Sequence, residues 1–276
     1  MIGYSLQLYF DFSGYSDMAI GLARLFNIRF PQNFNSPYKA ITVIDYWQRF
    51  HMTLTRFITM YIFNPLALWV ARQRTARGLD TSRQAAARPG GFAALVAGPT
   101  LLTMGLAGIW HGAGTQYLIF GLLHGFYILV NHATRILFPT PRHPPPRPWP
   151  ARIAIRAWKV LAVYIAALVA FAFFRSSSTP AAFELLAGMI GLHGTGPALP
   201  RDVLIQISAL FVIVWAFPNS QEMMAGFEPV LGRPISNPWP RFAWRPDMLW
   251  AVACGIVAAF GVLALGGTTE FLYFQF

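Results

Sequence analysis

The feature that most constrains this chain is a series of apolar segments, each close to the length of a membrane-spanning helix, separated by short basic stretches. A bilayer core about 30 Å thick requires roughly 20 mostly apolar residues for each helical span. Only 11% of the residues are charged and 55% are hydrophobic, so a water-soluble fold could not cover this much apolar surface. The sequence therefore predicts an all-α, polytopic integral membrane protein with about six to eight transmembrane or re-entrant helices.

The apolar segments and the basic stretches between them give a consistent membrane topology. The predicted spans are Ile2–Phe26, Thr55–Ala71, Phe92–Trp110, Ala113–His132, Ala157–Phe174, Val203–Phe217 and Met248–Leu265. Ile41–Leu54 carries several polar residues, which favours an interfacial or re-entrant helix. The arginine-rich stretches 72–89, 135–156 and 218–247 all fall on one side of the membrane, as the positive-inside rule requires for cytoplasmic loops. This topology places the turn at His111 toward the opposite side.

The cysteine, histidine and charge patterns argue against a disulfide-bonded or metal-binding protein and against a nucleic-acid-binding protein. Cys254 is the single cysteine, so an intrachain disulfide and a thiolate zinc or iron–sulfur site are both excluded. A net charge of +11 would favour nucleic acid as the ligand of a soluble protein, but here the basic residues lie between apolar segments. The six histidines form no HExxH-type arrangement. We therefore expect no metal site and no nucleic-acid partner.

Two histidines are candidates for chemistry. His111 lies in the glycine-rich string Gly108–Gly114 between two apolar segments, and an ionisable group at such a position is costly to bury and is a functional candidate. Glycines there allow backbone or substrate to approach closely. The alternative is a histidine wetted by solvent at a hairpin turn. His51 lies in an amphipathic segment, shortly after Trp47 and Arg49. In the alternative interpretation, Trp47 and Arg49 are plain interfacial anchors.

Three further polar residues occur within apolar segments. His124 lies about 140° from His111 around an ideal helix, so we expect it to pack or to form a hydrogen bond rather than to act as a second base. Asp11 and Asp17 lie about 120° apart on a helix and are candidates for the wall of a polar cavity. The alternative for these carboxylates is an ion pair with nearby Arg24 or Arg29.

Seven strings, in order along the chain, resemble one known family. They are Tyr9–Gly21 (YFDFSGYSDMAIG), Asn33–Tyr38 (NFNSPY), Tyr46–Leu54 (YWQRFHMTL), Gly108–Ala113 (GIWHGA), Gly121–Gly125 (GLLHG), Pro218–Glu222 (PNSQE) and Phe271–Phe276 (FLYFQF). Together they resemble the membrane-bound O-acyltransferase (MBOAT) family, and specifically its bacterial alginate O-acetyltransferase-like branch. The D-alanyltransferases of teichoic acid are related to this branch, and the strings resemble them as well.

The resemblance implies a single MBOAT-type transmembrane domain over residues 1–276. Members of the family transfer an acyl group, such as acetyl, to hydroxyls of an exported polysaccharide such as alginate. His111 matches the family's essential histidine, and His51 matches its second characteristic histidine. A neutral imidazole can take the proton of a hydroxyl as that hydroxyl attacks an acyl carbonyl. We predict four further substrate-binding residues, namely Trp110, Trp47, Asp11 and Asp17.

The same resemblance implies a multi-pass protein of the bacterial inner membrane. Its partners would be membrane lipid and periplasmic acetylation proteins, its donor acetyl-CoA or an acetylated carrier, and it would hold no bound cofactor. Family members have further helices before the Tyr9–Gly21 string, so we expect this chain to be the C-terminal part of a longer protein. Alginate acetyltransferases commonly read Leu-Arg-Asp-Tyr where this chain reads Ile58–Tyr61. The alternative function is a non-catalytic or truncated membrane subunit or carrier in polysaccharide modification or export.

Overall fold

A computed structural model describes residues 1–139, 145–194, 196, 198–232 and 235–265. The string Phe271–Phe276 and the basic residue Arg233 lie outside the described residues. The helices are α1 (Ile2–Leu25), α2 (Val43–Trp47), α3 (Met52–Ala76), α4 (Pro89–Trp110), α5 (Thr115–Leu137), α6 (Trp149–Arg175), α7 (Thr179–Met189), α8 (Arg201–Ala216) and α9 (Met248–Ala264). Single helical turns form at Pro37–Lys39, Arg83–Ala86, Ser220–Met223, Ala225–Phe227 and Pro240–Phe242.

The architecture confirms the predicted all-α, polytopic class. Helices α3, α4, α5 and α6 are long and apolar enough to cross a membrane, and α9 is a shorter apolar helix. The predicted interfacial segment Ile41–Leu54 forms α2 and the start of α3, with a non-helical break at 48–51 between them. The predicted spans leave out residues 175–202, whereas the structure places the additional helix α7 there.

Helix α6 is the centre of the packed core. Its buried residues include Ala170 and Phe171, and it packs against α1, α5 and α7. A buried hydrogen bond joins the hydroxyls of Ser5 in α1 and Tyr164 in α6 at 2.6 Å. The hydroxyl of Tyr38 donates to the carbonyl oxygen of Ser5, also at 2.6 Å. These polar contacts fix the depth of α1 against α6, because any slippage would leave buried polar groups unpaired.

Two spanning helices contain a π turn just before a proline. Thr59–Phe63 precedes Pro65 in α3, and Ala93–Ala97 precedes Pro99 in α4. Proline has no N–H to donate, and its ring clashes with the carbonyl four residues earlier. A π turn inserts an extra residue at this point, so the helix continues without a break. Both spans therefore continue past their proline by way of a π turn.

Glycines bring the backbones of α4 and α5 into contact beside the turn that carries His111. A Cβ atom at Gly121 would lie 2.2 Å from the carbonyl oxygen of Met104, and one at Gly108 would lie 2.3 Å from the carbonyl oxygen of Tyr117. Only residues without a side chain fit this close approach, as at small-residue contacts between membrane helices. The contact places the turn against α5, where the His111 ring meets Phe120 at a centroid distance of 5.9 Å.

We expect Gly121→Ala to destabilise the α4–α5 hairpin by about 1–3 kcal/mol, because the new methyl group overlaps rigid backbone atoms. The measurement is the thermal unfolding midpoint of the purified protein in detergent. Gly255→Ala in α9 is the matched control, since a Cβ atom there meets nothing within 4 Å. An unfolding midpoint for Gly121→Ala as high as that of the control would show that the two helices are not in backbone contact.

Candidate active site

A narrow cavity brings the two predicted histidines together. His51 reaches it from the α2–α3 break and His111 from the α4–α5 turn. The remaining lining residues are apolar or aromatic, namely Leu8, Phe12, Trp47, Phe50, Leu54, Phe120, Phe171 and Phe174. The cavity volume is about 30 Å³, space for only one or two water molecules. The two imidazoles therefore share a small, mostly apolar space of low dielectric, in which polar interactions are strengthened.

Aromatic edges fix the orientation of both imidazole rings. The His51 ring meets Phe12 edge to face at a centroid distance of 4.7 Å and an interplanar angle of 79°. The His111 ring meets Phe174 in the same way at 5.0 Å and 82°. Such edge-to-face contacts are the preferred geometry of aromatic pairs. Each histidine is thus held by packing as well as by its backbone.

Burial keeps both imidazoles neutral. His51 and His111 each lie one residue outside a spanning helix. Burial lowers the pKa of each ring to about 4, and at His51 the neighbouring His111 lowers the pKa further. At neutral pH each ring therefore has one unprotonated nitrogen that can accept a proton.

Asn33 determines which nitrogen of His51 carries the proton. Its side-chain oxygen Oδ1 lies 3.1 Å from His51 Nδ1 and also accepts from the Thr53 hydroxyl at 2.8 Å. The amide nitrogen of Asn33 donates to Ser16 Oγ at 3.0 Å, which fixes the orientation of the amide. Because an amide oxygen only accepts, His51 donates from Nδ1 and keeps Nε2 as an acceptor. Sequence analysis gave Asn33 no role, although it lies in one of the family-like strings.

The backbone around His51 is also held in place by the Asn33 segment. His51 adopts a left-handed conformation with φ of 48°, which is unfavourable for a residue with a Cβ atom. The carbonyl oxygen of Asn33 accepts from the Met52 amide at 2.9 Å, and the Asn35 amide donates to the Arg49 carbonyl at 2.8 Å. Strained conformations that the surrounding structure enforces cluster at functional sites.

Asn33→Asp tests this positioning role through its pH dependence. A carboxylate beside His51 favours the imidazolium and raises the pKa of His51 from its lowered value. If the reaction at this site requires neutral His51, activity in the variant should be lost at a higher pH than in the wild type as pH falls. The measurement is the pH profile of activity, with Asn131→Asp as control, because Asn131 Oδ1 accepts instead from the Ile44 amide. Identical acidic limbs in the wild type and Asn33→Asp would contradict the assignment.

His124 lies behind the cavity wall. Its Nδ1 accepts a hydrogen bond from Trp47 Nε1 at 3.2 Å, and its ring meets Phe120 at a centroid distance of 4.9 Å. Both Trp47 and Phe120 line the histidine cavity. His124 therefore positions two wall residues, a packing and hydrogen-bonding role like the one predicted from the sequence.

The other predicted site residues lie outside the histidine cavity. Trp110 is 62% exposed and contacts the His111 ring at a centroid distance of 4.8 Å. Asp17 lines a separate cavity beside Asn219. Asp11 lines neither of these two cavities. Of the four predicted substrate-binding residues, only Trp47 is in the wall of the histidine cavity.

Asp17 links α1 to the turn that follows α8. Its carboxylate accepts hydrogen bonds from the Ser220 hydroxyl and from Gln221 Nε2, the latter at 2.6 Å. Arg29, one of the two alternative partners considered from the sequence, instead pairs with Glu228 at 2.7 Å. Among the described residues Asp17 forms no ion pair with Arg24 or Arg29, and neutral side chains of the PNSQE string satisfy its carboxylate instead. Within the described part of the chain, no group of three or more His, Cys, Asp or Glu residues could hold a metal ion.

The known proteins that this chain is similar to include several acyltransferases. No family model matches the chain. A peptidoglycan O-acetyltransferase of Helicobacter pylori is 38% identical over 198 residues, covering 70% of this chain and 31% of that protein. A probable alginate O-acetylase AlgI of Azotobacter vinelandii is 31% identical over 188 residues, covering 68% and 31%. A teichoic acid D-alanyltransferase of Bacillus subtilis is 36% identical over 124 residues, covering 45% and 28%.

Fold and site together define a polytopic α-helical membrane protein with a buried pair of neutral histidines. These relatives are MBOAT-type O-acyltransferases, and one of them, the peptidoglycan O-acetyltransferase, matches 70% of this chain. The chain spans less than a third of the length of the curated relatives described above, with 31%, 31% and 28% of their residues matched.

Proposed function

We propose that this protein transfers an acyl group, such as acetyl, from a thioester donor to a hydroxyl of an exported polysaccharide, and that His51 and His111 act at the reacting site. The observation that carries the proposal is the meeting of two neutral imidazoles, from separate segments, in one small cavity with otherwise apolar and aromatic walls. The names of the relatives, which include acyltransferases for peptidoglycan, alginate and teichoic acid, support the same class of reaction.

The two histidines have different roles in this proposal. An acceptor hydroxyl attacks the thioester carbonyl, its proton passes to His111, and the sulfur–carbon bond breaks to release a thiol that takes up a proton. A sugar presents neighbouring hydroxyls, and His51 Nε2 accepts a hydrogen bond from one of them. The proton on His51 Nδ1 is engaged by Asn33, so His51 orients the acceptor rather than polarising the acyl carbonyl. Trp47 and Trp110 remain candidates for stacking on the sugar ring.

A second cavity next to the site suits the acyl donor. It lies between α3, α4 and α5, has a volume of about 200 Å³ and shares the wall residue Trp47 with the histidine cavity. Its lining includes Phe63, Met104 and Thr103, and the buried Thr103 hydroxyl has no hydrogen-bond partner within the described residues. An extended thioester arm, from acetyl-CoA or an acetylated carrier, matches this mostly apolar space with a few polar groups.

The topology proposed from the basic loops assigns a side of the membrane to each substrate. With the basic loops in the cytoplasm of a bacterium and the protein in its inner membrane, the turn at His111 lies toward the periplasm. The polysaccharide would approach from that side, where periplasmic acetylation proteins would act as partners. The donor would enter from the cytoplasmic side, through the cavity between α3 and α4.

The experiment that tests the proposal measures ester-linked acyl groups on extracellular polysaccharide. A host without its own O-acylation carries either the chain or an empty vector, and both polysaccharide yield and acyl content per sugar are determined. Acyl transfer predicts a rise in acyl content per sugar. A higher polysaccharide yield with unchanged acyl content would instead support the alternative of a non-catalytic carrier or subunit.

A further inference from the structure

A groove beside α6 combines two cations with an aliphatic floor. Lys39 and Arg156 line it together with Trp215 of α8, and the floor comprises Ile153, Ala157, Val160 and Leu161. Its volume is about 340 Å³, and it shares no lining residue with the histidine cavity. The indole of Trp215 donates to the Tyr38 carbonyl oxygen at 3.0 Å, so one wall of the groove is fixed to the core.

The cations of the groove lack anionic partners. No Asp or Glu lines the groove, and neither Lys39 nor Arg156 forms an ion pair with any residue that the structure describes. Lys39 donates one hydrogen bond from Nζ to the Phe217 carbonyl oxygen at 2.6 Å, which leaves two of its three N–H groups available. Two like charges facing one concave surface repel each other, and a bound anion would relieve this repulsion.

The charges around Lys39 do not cancel this positive potential. Burial is the main cause of a lowered pKa of Lys39, with Glu222 opposing the decrease and Arg49 and Arg156 adding to it. Glu222, whose carboxylate accepts from the Asn219 amide at 2.9 Å, does not line the groove and brings one negative charge against the two cations. Arg49 is paired with Asp45 at 2.7 Å, so the groove has an excess of positive charge.

The position of the groove along α6 corresponds to the level of lipid headgroups. Arg156 and Arg175 lie about 28 Å apart along the helix at 1.5 Å per residue, close to the thickness of a bilayer core. Trp149 and Trp158, on either side of Arg156 in the sequence, are each 68% exposed, as expected for tryptophans at the membrane–water interface. Beyond this level, residues 160–174 are entirely uncharged.

We propose that this groove binds an anionic phospholipid, with Lys39 and Arg156 contacting the headgroup phosphate and the aliphatic floor contacting an acyl chain. Basic pockets between helices at the cytoplasmic interface are suited to such headgroups. The floor favours a lipid over a soluble phosphate compound, because Ile153 is 58% exposed and Leu161 is 44% exposed on the outer surface of α6. This site is independent of the proposed acyl transfer.

Thermal unfolding of the purified full chain in detergent tests the lipid site. Phosphatidylglycerol should raise the unfolding midpoint by a few degrees relative to phosphatidylcholine, since a ligand bound only by the folded state stabilises it. The double variant Lys39→Gln/Arg156→Gln should lose this difference. Arg156→Gln alone should lose most of the difference between the two lipids. Because Arg156 forms no ion pair with any described residue, this single variant breaks no ion pair within the fold. The matched control Arg152→Gln/Lys159→Gln removes two α6 cations that do not line the groove and should keep the difference.

Three results would overturn the proposal. A double variant that keeps the response to phosphatidylglycerol would show that the lipid binds elsewhere. An equal loss in the control variant would reduce the effect to general surface charge. A rise of the same size with inorganic phosphate alone would identify a soluble phosphate as the ligand instead of a lipid.

Discussion

Replacing His111 with alanine should lower acyl transfer about 10²- to 10⁴-fold, the range that a positioned general base contributes. The imidazole is the proton acceptor at the reacting hydroxyl in the proposed mechanism, and alanine cannot replace it. The remaining lining residues of the cavity, other than His51, carry no carboxylate or further imidazole that could take over this role. The measurement is acyl content per sugar, or label transferred from a thioester donor, at equal membrane abundance of each protein.

A matched control separates this effect from a general loss of histidine. His193 is exposed, lies 3.2 Å from Glu184 and does not line the cavity, so His193→Ala should transfer at the wild-type rate. Transfer by His111→Ala within a few-fold of the control would remove His111 from the mechanism. A loss of protein from the membrane fraction would instead identify a folding role, which the abundance measurement detects directly.

Replacing His51 with alanine should lower transfer about 10²-fold, the order expected when a reactant is held about 1 Å from its productive position. His51 orients the acceptor in the proposal, so the change should raise the KM of the acceptor more than that of the donor. His51→Gln should recover part of the activity, because a glutamine oxygen can accept the same hydrogen bond. The measurement is initial rate against acceptor and donor concentration in separate series.

The two series also distinguish the two roles considered for His51. A rise confined to the KM of the donor, or a lower kcat with unchanged acceptor dependence, would favour polarisation of the acyl carbonyl instead of orientation of the acceptor. Such a result would also contradict the tautomer that the hydrogen bond to Asn33 assigns.

The two histidines could be predicted as candidate site residues from the sequence, because burying an ionisable group in an apolar segment is costly and therefore informative. Their shared cavity could not be predicted from their spacing, because it depends on how the α2–α3 break packs against the α4–α5 turn. Asn33 gave no such signal, since a neutral amide in a polar break carries no comparable energetic cost. Its role becomes visible only through its hydrogen bonds to His51 and Thr53.

For the acidic residues of α1, the sequence identified the residues but not the groups that they contact. Asp17 lines a cavity, but its hydrogen-bond partners Ser220 and Gln221 come from far along the chain. Helical spacing identifies which residues share a face of one helix, but not which distant segment packs against that face. The helices themselves were predicted best where apolar runs were long, and the additional helix α7 was missed in a region of mixed composition.

The most direct test of a single acyl-transfer site is a double-mutant cycle on His51 and His111. Acyl transfer is measured for the wild type, His51→Ala, His111→Ala and the double variant at equal membrane abundance. Residues that act as a unit on one step are strongly non-additive, so the double variant should be about as impaired as His111→Ala alone. A loss in the double variant equal to the product of the two single losses would show that the histidines act independently and that the cavity is not one catalytic site.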